Sequence, residues 1–341
     1  MMAAGVVLRA DGGPGIGLGH VARALALGEA WRRAGWAVHV VGEAGAPDMA
    51  ERLGRIAATR HAVAATAGSM DDADATAAIA RAVEARILVA DGAAFRAPWF
   101  ARVASATRAT TVQLDDGDAA ASLGADVVLN PAADAAADAY RGRAGDARLL
   151  LGLPYAPVRE EVVRARDAAQ PAGRLLLTLG GADPDDATRG GLAQLAPVAA
   201  EGGLALTALV GRANPAASDV AATATRLGAE AIVAPPDTAA VLAGTRVAVA
   251  AMGVTVLELL CLGVPTIVLW RDAAGQREAA ALLRDGLVLA AAPVAAARDG
   301  ALAPLVRAVL ADATGPAVAG ARARAAVDGL GPRRVVEALA A

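Results

Sequence analysis

The sequence predicts an α/β protein built from doubly wound parallel sheets. Short apolar segments of strand length alternate with alanine-rich segments of helical length along the chain, and this alternation is typical of parallel βαβ units. The chain has 341 residues, which is more than one hydrophobic core usually organises, so two domains are expected. Because hydrophobic residues make up 56% of the chain and aromatic residues only 2%, alanine, valine and leucine must fill both cores.

Ten segments are predicted to be strands, because each is a short apolar run bounded by polar residues, glycine or proline. In the first half they are Val6–Ala10, Ala37–Val41, Ile87–Ala90, Thr110–Leu114 and Val127–Leu129. In the second half they are Leu175–Leu179, Ala205–Val210, Ala231–Val233, Val247–Ala250 and Thr266–Leu269. Ligands of open parallel sheets bind beyond the carboxyl ends of the strands, so functional residues are expected in the loops that follow them.

Six alanine-rich segments are predicted to be helices that alternate with those strands. They are Val21–Arg33, Asp72–Ala85, Pro98–Ala106, Asp186–Ala196, Thr255–Leu262 and Gln276–Leu283. The polar stretch 164–174 contains proline and glycine and is the expected linker. We therefore expect an N-terminal domain over residues 1–165, a C-terminal domain over 172–325, and a final helix within 326–341 that packs back on the N-terminal domain.

Composition and charge narrow the possible functions. The net charge is −3 and no basic run is present, so nucleic acid is not an expected partner. No apolar run reaches the roughly 18 residues of a membrane span and the first residues lack a signal-peptide pattern, so we expect a cytoplasmic protein without an integral membrane segment. The single cysteine, Cys261, excludes an internal disulfide. Since no histidine or cysteine cluster is present, neither a bound metal nor another cofactor is expected.

The loop after the first predicted strand is rich in glycine and ends in a histidine. Residues 9–23 read R-A-D-G-G-P-G-I-G-L-G-H-V-A-R. A dinucleotide-binding loop requires G-x-G-x-x-G, but the third glycine position falls on Leu18 in one register and on His20 in the other. The loop therefore does not predict dinucleotide binding. It predicts a flexible turn into a helix that carries His20 near its start.

His20 and Arg23 are expected on one face of that helix, because residues three apart lie about one turn apart. The positive end of a helix disfavours imidazolium, so His20 is expected to be a neutral general base. Asp11 at the end of the first strand, or Asp91 at the end of a later strand, could orient His20 or simply cap a turn. The alternative for His20 is that it caps the helix or bonds a backbone group.

A second glycine-containing loop, residues 178–188, follows the first strand of the C-terminal half. Gly180 and Gly181 would let backbone N–H groups approach a phosphate. Asp185 or Asp186 is the expected N-cap of the helix that follows. The alternative interpretation is an ordinary tight turn without a ligand.

Two further loops of the C-terminal half follow strands. Thr255 and Glu258 have the spacing of a capping box, which favours a structural role for Glu258. The competing interpretation is that Glu258 accepts hydrogen bonds from ribose hydroxyls while the helix N-terminus faces a diphosphate. The next loop offers Arg271, Asp272 and Gln276, and its alternative is a solvated loop without a function.

Seven stretches, in order and over nearly the whole chain, form a recognisable pattern. They are R-A-D-G-G-P-G-I-G-L-G-H-V-A-R (9–23), L-D-D (114–116), V-V-L-N (127–130), L-L-G-L-P-Y-A-P-V-R-E-E (150–161), L-G-G-A-D-P (179–184), G-V-T-V-L-E-L-L-C-L-G-V-P-T-I-V (253–268) and V-D-G-L-G-P-R-R-V (327–335). Together they resemble the UDP-sugar hydrolases of the pseudaminic acid pathway, relatives of spore-coat polysaccharide glycosyltransferase-like proteins. The resemblance implies an α/β fold of glycosyltransferase-B architecture, in which two Rossmann-like doubly wound domains face a cleft.

The resemblance also implies a function. It implies a metal-independent hydrolase that releases UDP from a nucleotide-activated amino or deoxy sugar, with the nucleotide on the C-terminal domain. His20 corresponds to the histidine that positions or deprotonates water; Asp11 would tune it, and Arg23 would steady it or the diphosphate. Glu258 is expected to hold the ribose, and Gln276 to face sugar or phosphate. The substrate- and nucleotide-binding residues are expected to be Gly17, Gly19, Asp91, Asn130, Gly180, Gly181, Gly253, Val254, Thr255, Glu258 and Gln276.

Three positions depart from the family pattern. Ala93 stands where the family often has a tyrosine near the sugar, Gly275 where it has an asparagine, and Val254 where it has a serine. Each departure lies on the substrate side of the expected cleft, so the identity of the sugar stays open. The alternatives to the hydrolase are a glycosyltransferase that moves the sugar to an acceptor hydroxyl and a nucleotide-sugar binder without activity.

Overall fold

The strands of the chain form two parallel sheets, each in its own structural unit. The structure, a computed structural model, describes residues 4–12, 19–42, 54, 56, 58–117, 122–167 and 173–340. Unit 1 comprises Met1–Arg159 and Leu330–Ala341, and unit 2 comprises Glu160–Gly329. The chain therefore returns to unit 1 at its C-terminal end.

Seven strands form the sheet of unit 1. They are β1 (Gly5–Ala10), β2 (Ala37–Val41), β3 (Thr59–His61), β4 (Ala85–Asp91), β5 (Thr110–Leu114), β6 (Val127–Asn130) and β7 (Arg148–Leu151). Their order is β3-β2-β1-β4-β5-β6-β7, and all neighbouring pairs are parallel. The strand order reverses between β1 and β4, so a ligand site is expected beyond the carboxyl ends of these two strands.

Six strands form the sheet of unit 2. They are β8 (Arg174–Thr178), β9 (Ala205–Val210), β10 (Glu230–Val233), β11 (Val247–Ala251), β12 (Thr266–Trp270) and β13 (Ala290–Pro293). Their order is β10-β9-β8-β11-β12-β13, again with parallel neighbours. The corresponding reversal lies between β8 and β11, so the loops after these strands are the ones that can hold a ligand.

Helices connect these strands. Those described are α1 (Gly19–Arg33), α2 (Met70–Ala82), α3 (Ala97–Ala106), α4 (Glu160–Ala165), α5 (Ala187–Glu201), α6 (Ala217–Arg226), α7 (Thr238–Ala243), α8 (Val254–Leu262), α9 (Ala273–Arg284), α10 (Ala296–Asp299), α11 (Leu302–Ala311), α12 (Gly315–Ala326) and α13 (Gly331–Ala340). No single helix among the described residues is long and apolar enough to cross a membrane. A segment with that length and composition arises only when Leu302–Ala311 and Gly315–Ala340 are joined across a 94° bend.

The sheet of unit 1 has a hydrophobic core on each face. Val6 and Leu8 of β1 pack with Trp31 of α1, whereas Val7 packs with Trp99 of α3 and other residues of α2 and α3. Successive residues of a strand point to opposite faces, so one strand contributes to both cores. Burial on both faces explains why the sequence of β1 is almost continuously apolar.

The final helix, α13, packs on unit 1. Val335 and Val336 are buried in the core that contains β1 and α1. The Arg148 guanidinium donates to the carbonyl of Ala338 at 2.6 Å, and Arg334 Nη1 donates to the carbonyl of Pro154 at 3.0 Å. Buried valines and two side-chain bonds to the backbone thus fix this helix on unit 1.

The predicted α/β fold of two doubly wound sheets is confirmed. All ten predicted strands form, with ends that differ by at most two residues. The sequence does not predict β3, β7 or β13, which are short strands at the edges of their sheets. Edge strands bury less surface, so the apolar signal is weak in β3 (T-R-H) and β13 (A-A-A-P), whereas β7 (R-L-L-L) has an apolar run that the prediction leaves out. The helix predicted to reach Ala85 ends at Ala82, because Glu84 turns the chain with a φ of 50° into β4.

Candidate functional site

The carboxyl ends of β1 and β4 bring together three side chains that the sequence predicts to be functional. His20 and Arg23 lie on one face of α1, and Asp91 is the last residue of β4. The His20 Nδ1 lies 2.8 Å from Asp91 Oδ1. Arg23 donates to the same carboxylate twice, from Nε to Oδ2 at 2.9 Å and from Nη2 to Oδ1 at 2.6 Å. The side chains therefore form one hydrogen-bonded cluster at the switch point of the sheet.

Arg23 is shared between two carboxylates. Its Nη1 donates to Asp116 Oδ1 at 2.5 Å, just beyond the carboxyl end of β5. The side chain of Asp91 is 2% exposed and that of Asp116 is 54% exposed, so Arg23 links a buried anion to one at the surface. Burial alone would lower the pKa of Arg23, but Asp91 and Asp116 outweigh it and raise that pKa. Desolvation raises the pKa of Asp116, but Arg23 lowers it by more. Arg23 is therefore a fixed cation.

The pKa of His20 is raised above its ordinary value. The main cause is the hydrogen bond with Asp91; burial and the nearby Arg23 act in the opposite direction, and Asp116 adds to the rise. The sequence predicts a neutral imidazole because of the helix N-terminus. That prediction considered the helix alone, whereas the buried Asp91 carboxylate controls the proton, so His20 keeps its charge to higher pH than an ordinary histidine.

The contacts of His20 also favour one tautomer. Its Nδ1 lies between Asp91 Oδ1 at 2.8 Å and Arg23 Nη2 at 2.9 Å. A proton on Nδ1 donates to the buried carboxylate, whereas a lone pair there would face the anion at hydrogen-bond distance. Since an ionised Asp91 accepts and cannot donate, the Nδ1–H tautomer fits its contact with Asp91. Arg23 Nη2 then lies beside the Nδ1–H group without a hydrogen bond to it, and donates to Asp91 Oδ1 instead. The basic atom of neutral His20 is then Nε2, on the side of the ring away from Asp91.

Asp91, and not Asp11, is the carboxylate that contacts His20 within the described residues. The sequence predicts that Asp11 tunes His20; in the structure Asp11 pairs with Arg9, whose Nη1 lies 2.7 Å from Asp11 Oδ1. Arg9 is a buried charge near the carboxyl end of β1. Within the described residues, the polar side chains at hydrogen-bond distance from the His20 ring are those of Asp91 and Arg23. Of the two glycines predicted in this loop, Gly17 lies outside the described residues, and Gly19 is the exposed first residue of α1.

Asn130 belongs to a buried network at the ends of β5 and β6. Its Nδ2 donates to Tyr140 Oη at 2.7 Å, and Tyr140 donates in turn to Asp115 Oδ2 at 2.7 Å. The Asn130 Oδ1 accepts from the backbone of Ala132 at 2.9 Å. These bonds occupy both ends of the Asn130 amide. The amide atoms of Asn130 that would contact a substrate, as the sequence predicts, are therefore already used in hydrogen bonds within unit 1.

The other two histidines contact each other. His39 of β2 and His61 of β3 lie with Nδ1 and Nε2 3.0 Å apart. The pKa of His39 is lowered by burial and by His61, and the pKa of His61 is lowered by burial. Both effects favour neutral rings that share one hydrogen between two nitrogens. This pair is thus the electrostatic opposite of His20, whose carboxylate partner favours the charged form.

In unit 2, the loop after β8 carries Gly180 with a φ of 90°. A Cβ added at Gly180 would meet no atom within 4 Å, so the space in front of this backbone is open. Gly181 is fixed differently: the backbone of Gly211 packs so closely against it that any side chain at Gly211 would collide. One glycine thus faces free space while its neighbour is held against the next loop.

The helix after this loop has a predicted aspartate at its N-cap position, but a different aspartate makes the side-chain capping bonds. Asp186 occupies the N-cap position of α5, but its side chain makes no capping bond. Asp183 instead accepts from the backbone N of Ala187 at 3.2 Å and of Thr188 at 2.9 Å. Asp185 binds Arg271. Asp186 therefore occupies the N-cap position that the sequence predicts, while Asp183 supplies the side-chain bonds to the start of the helix.

Arg271 ties the loop after β12 to the loop after β8. Its Nε donates to Asp185 Oδ2 at 2.7 Å, and its Nη2 donates to the carbonyl of Leu179 at 2.9 Å. The side chain is 27% exposed. Arg271 therefore links two loops of unit 2 through hydrogen bonds, unlike the solvated loop of the alternative interpretation.

The loop after β11 is a strand-to-helix turn at a glycine. Gly253 has a φ of 144°, and a Cβ there would again meet nothing within 4 Å. α8 begins at Val254, so Thr255 lies inside the first turn and the predicted capping box does not form. Glu258 is 1% exposed within α8. With the capping box excluded, the structural explanation that the sequence offers for Glu258 no longer applies.

Gln276 is an exposed residue in the first turn of α9. Asp272 caps this helix by accepting from the backbone N of Gly275 at 2.8 Å. A Cβ at Gly275 would lie 3.4 Å from Asp272 Oδ1, so glycine fits closely beside the cap. The capping role of Asp272 explains one of the three polar residues of this loop and leaves Gln276 available to a ligand.

Two residues of these loops were missed as site residues by sequence reasoning. Asp116 forms part of the motif L-D-D and follows β5, yet only the structure links it to Arg23. Asp183 lies in L-G-G-A-D-P, where its left-handed φ of 42° aims its carboxylate at the start of α5. Within the described residues, no group of three or more histidine, cysteine, aspartate or glutamate side chains is placed to hold a metal ion.

Comparison with known proteins defines the fold. No protein-family model matches the sequence, and no curated protein matches it. Among solved structures, the chain is similar to a glycosyltransferase from Rickettsia africae ESF-5, with 11% identity, a TM-score of 0.63 and coverage of 99% of this chain and 98% of that one. The chain thus has the glycosyltransferase-B architecture of two Rossmann-like domains.

Two further solved structures give the same result. The S. aureus MnaA–UDP co-structure has a TM-score of 0.67 at 11% identity, and a putative UDP-N-acetylglucosamine 2-epimerase from Listeria monocytogenes has 0.66 at 13% identity. Each match covers 98% of this chain and 95% of the other. The likeness therefore extends over both units.

Proposed function

We propose that the protein is an enzyme that acts on a UDP-sugar and releases UDP by hydrolysis, with His20 as the general base. The observation that carries this proposal is the contact between His20 Nδ1 and the buried Asp91 carboxylate, at 2.8 Å. A carboxylate on one ring nitrogen makes the other nitrogen a stronger base and stabilises the imidazolium that forms when it takes a proton. The cluster lies at the switch point between β1 and β4, where ligands of such sheets bind.

The chemical step follows from this arrangement. The Nε2 of His20 takes a proton from water as the water oxygen bonds to the anomeric carbon. The bond from that carbon to the diphosphate oxygen breaks, and UDP leaves as an anion. Asp91 keeps the ring oriented and balances the imidazolium charge, while Arg23 holds Asp91 from the opposite side. Because the base must be neutral, activity rises with pH through the raised pKa of His20.

Unit 2 supplies the features that suit a nucleotide diphosphate. Gly180 and Gly253 present backbone that no side chain covers, at the two loops flanking the switch between β8 and β11. α8 begins directly after Gly253, so its positive end can face the diphosphate and stabilise the departing UDP without a cation. The buried Glu258 is our candidate for the ribose contact, and Gln276 for a sugar or phosphate contact.

The sugar is proposed from the sequence resemblance, which points to an amino-deoxy sugar of the pseudaminic acid pathway. Ala93, where the family often has tyrosine, is exposed just beyond Asp91. A methyl group in place of a phenol removes a hydroxyl and opens room beside the reacting sugar. We therefore expect the preferred sugar to differ from the usual family substrate at the position that the tyrosine would contact.

The test is to incubate the protein with a panel of UDP-amino sugars and to measure UDP and free sugar in equal amounts. The His20→Asn variant should lose activity by about a hundredfold or more, the typical contribution of a general base. The His39→Asn variant is the matched control, since His39 contacts His61 instead of the cluster. Full activity of His20→Asn would contradict the proposal.

A glycosyltransferase is the second candidate, because the chain shares its fold with the Rickettsia africae glycosyltransferase. The same histidine would then take the proton of an acceptor hydroxyl in place of water. UDP release that requires an added acceptor identifies the transferase, and UDP release in water alone identifies the hydrolase. UDP binding without turnover on any sugar would identify a nucleotide-sugar binder.

A further inference from the structure

A cavity of about 830 Å³ opens at the amino-terminal edge of the sheet in unit 1. It lies where β2, β4 and β5 begin, whereas His20 and Asp91 lie at the carboxyl ends of the strands. Its walls come from Trp36 before β2, the last turns of α2 and α3, the first residues of β4 and β5, and the end of α13. The cavity is therefore separate from the cluster assigned to catalysis.

Three arginines on different elements line this cavity. They are Arg81 in the last turn of α2, Arg86 at the start of β4 and Arg108 just before β5. Arg81 Nη1 donates to the carbonyl of Ala106 at 3.1 Å, which places it at the end of α3, two residues before Arg108. The register of β4 and β5 pairs Ile87 with Thr110. Arg86 at the start of β4 and Arg108 just before β5 therefore lie near each other at the edge of the sheet.

Ordinary structural roles explain only one of these arginines. Arg81 complements the negative end of α2 and bonds a helix-terminal carbonyl, as a cation in a last turn commonly does. The side chains of Arg86 and Arg108 make no hydrogen bond or ion pair with any part of the chain that the structure describes. Among the described residues that line the cavity, the one carboxylate side chain is that of Glu84. The wall thus presents three guanidinium groups against a single carboxylate.

We propose that this cavity binds a small phosphate-bearing anion, of the class of phosphorylated metabolites. A guanidinium group presents a planar fork of donors that matches phosphate oxygens, and several forks in one concave site suit a multiply charged anion. The volume is within the range of small-molecule sites. A concave wall favours a free metabolite over a lipid headgroup in a flat bilayer surface. The site is independent of the proposed function.

The test is calorimetric titration of the full chain with inorganic pyrophosphate at low ionic strength, in the presence of saturating UDP. UDP occupies the diphosphate position proposed in unit 2, so the heat measured on adding pyrophosphate comes from binding at the cavity. The Arg86→Gln/Arg108→Gln double variant should bind pyrophosphate at least about tenfold more weakly than the wild type. The Glu84→Gln variant should bind it more tightly, because the opposing carboxylate is gone.

The matched control is Arg246→Gln. Arg246 is an exposed arginine directly before β11, which begins at Val247, and it does not line this cavity. It should leave pyrophosphate binding unchanged. Equal binding by the double variant and this control overturns the proposal, and so does the absence of binding by the wild type. Arginine-dependent binding to phosphatidylglycerol vesicles without pyrophosphate binding also overturns it, in favour of a membrane headgroup.

UDP release from the double variant separates this proposal from the proposed function. Because Arg86 and Arg108 lie at the opposite edge of the sheet from His20, the double variant should turn over a UDP-sugar at the wild-type rate when no anion is added. Failure of the UDP-sugar assay in both proteins would contradict the proposed function alone. A difference in pyrophosphate affinity between the double variant and Arg246→Gln would still support the cavity site.

Discussion

Unit 1 contains two buried arginine–aspartate pairs that are alike in geometry and different in surroundings. Arg9 Nε donates to Asp72 at 2.9 Å, and Arg23 Nε donates to Asp91 at 2.9 Å. The two aspartates are 0% and 2% exposed. Burying a charge is costly unless hydrogen bonds and an opposite charge compensate it. Both aspartates have an arginine that compensates this cost. The two pairs therefore differ in the other groups that each aspartate binds.

The partners of Asp72 are fixed donors. Besides Arg9 it accepts from Trp99 Nε1 at 2.9 Å and from the backbone N of Gly68 at 2.9 Å. Phe95 covers Arg9, with its ring centroid 4.9 Å from the guanidinium carbon. Neither the indole of Trp99 nor the backbone amide of Gly68 titrates near neutral pH. We call Arg9 and Asp72 the saturated pair, and we expect it to stabilise the fold.

The partners of Asp91 include a group that can gain or lose a proton. His20 shares Asp91 with Arg23, and Arg23 is shared in turn with Asp116. His20 is 22% exposed, so a substrate can reach its ring. The comparison teaches that burial of an ion pair does not by itself mark a candidate site. What makes the Arg23–Asp91 pair a candidate is that a titratable and partly exposed side chain, His20, shares its carboxylate.

The largest expected effect comes from breaking the saturated pair. The Asp72→Asn variant leaves the buried Arg9 without the counter-charge at its Nε, and we expect the free energy of unfolding to fall by about 3 kcal/mol or more. Urea denaturation of the wild type and the variant measures it. The control is Asp74→Asn, two residues away in the same helix, where the carboxylate forms an exposed pair with Arg102. Asp74→Asn should leave the stability unchanged, and an Asp72→Asn protein of wild-type stability would contradict the structural role.

The second effect concerns activity. The Asp91→Asn variant keeps the shape of the cluster but removes the charge that stabilises imidazolium, so we expect the rate of UDP release to fall by about a hundredfold. The pH at which activity rises should move down, because the hydrogen bond with Asp91 is the main cause of the raised pKa of His20. Steady-state assays between pH 5 and 9 measure both quantities. An unchanged pH profile would show that Asp91 does not control the proton on His20.

The sequence predicts the parts of unit 1 that depend on local pattern. The apolar run of β1 and the spacing of His20 and Arg23 are both visible along the chain, because each involves neighbours within one or two turns. The glycine-rich turn that the sequence predicts lies at residues 13–18, outside the described residues. The contact of His20 with Asp91 is not visible, because it depends on how β4 pairs with β1. The pairing of Asp11 with Arg9 is not visible either, because a buried arginine in an apolar strand gives no sequence pattern that names its partners.

A smaller effect is expected from Asp116→Asn, which removes the exposed end of the cluster. Arg23 keeps both bonds to Asp91, so UDP release should fall only about two- to fivefold, as expected for a partly exposed ion pair. The pH profile should move in the same direction as in Asp91→Asn, since Asp116 also raises the pKa of His20. A loss as large as that of Asp91→Asn would mean that Asp116 itself touches the substrate.

The smallest effect is a dependence of stability on pH with opposite signs at two histidines. The folded pKa of His20 is raised, so its contribution to stability is fully present below its ordinary pKa of about 6.5 and is lost as the pH rises through the folded value. The folded pKa of His39 is lowered, so the fold loses stability as the pH falls below about 6.5.

Thermal unfolding at pH 5.5 and 8 should therefore show His20→Gln less stable than the wild type chiefly at pH 5.5. His39→Gln should gain stability relative to the wild type at pH 5.5, because glutamine has no group that must be kept neutral in the fold at that pH. Equal shifts in both variants would contradict the assignment of a carboxylate partner to one histidine and a histidine partner to the other.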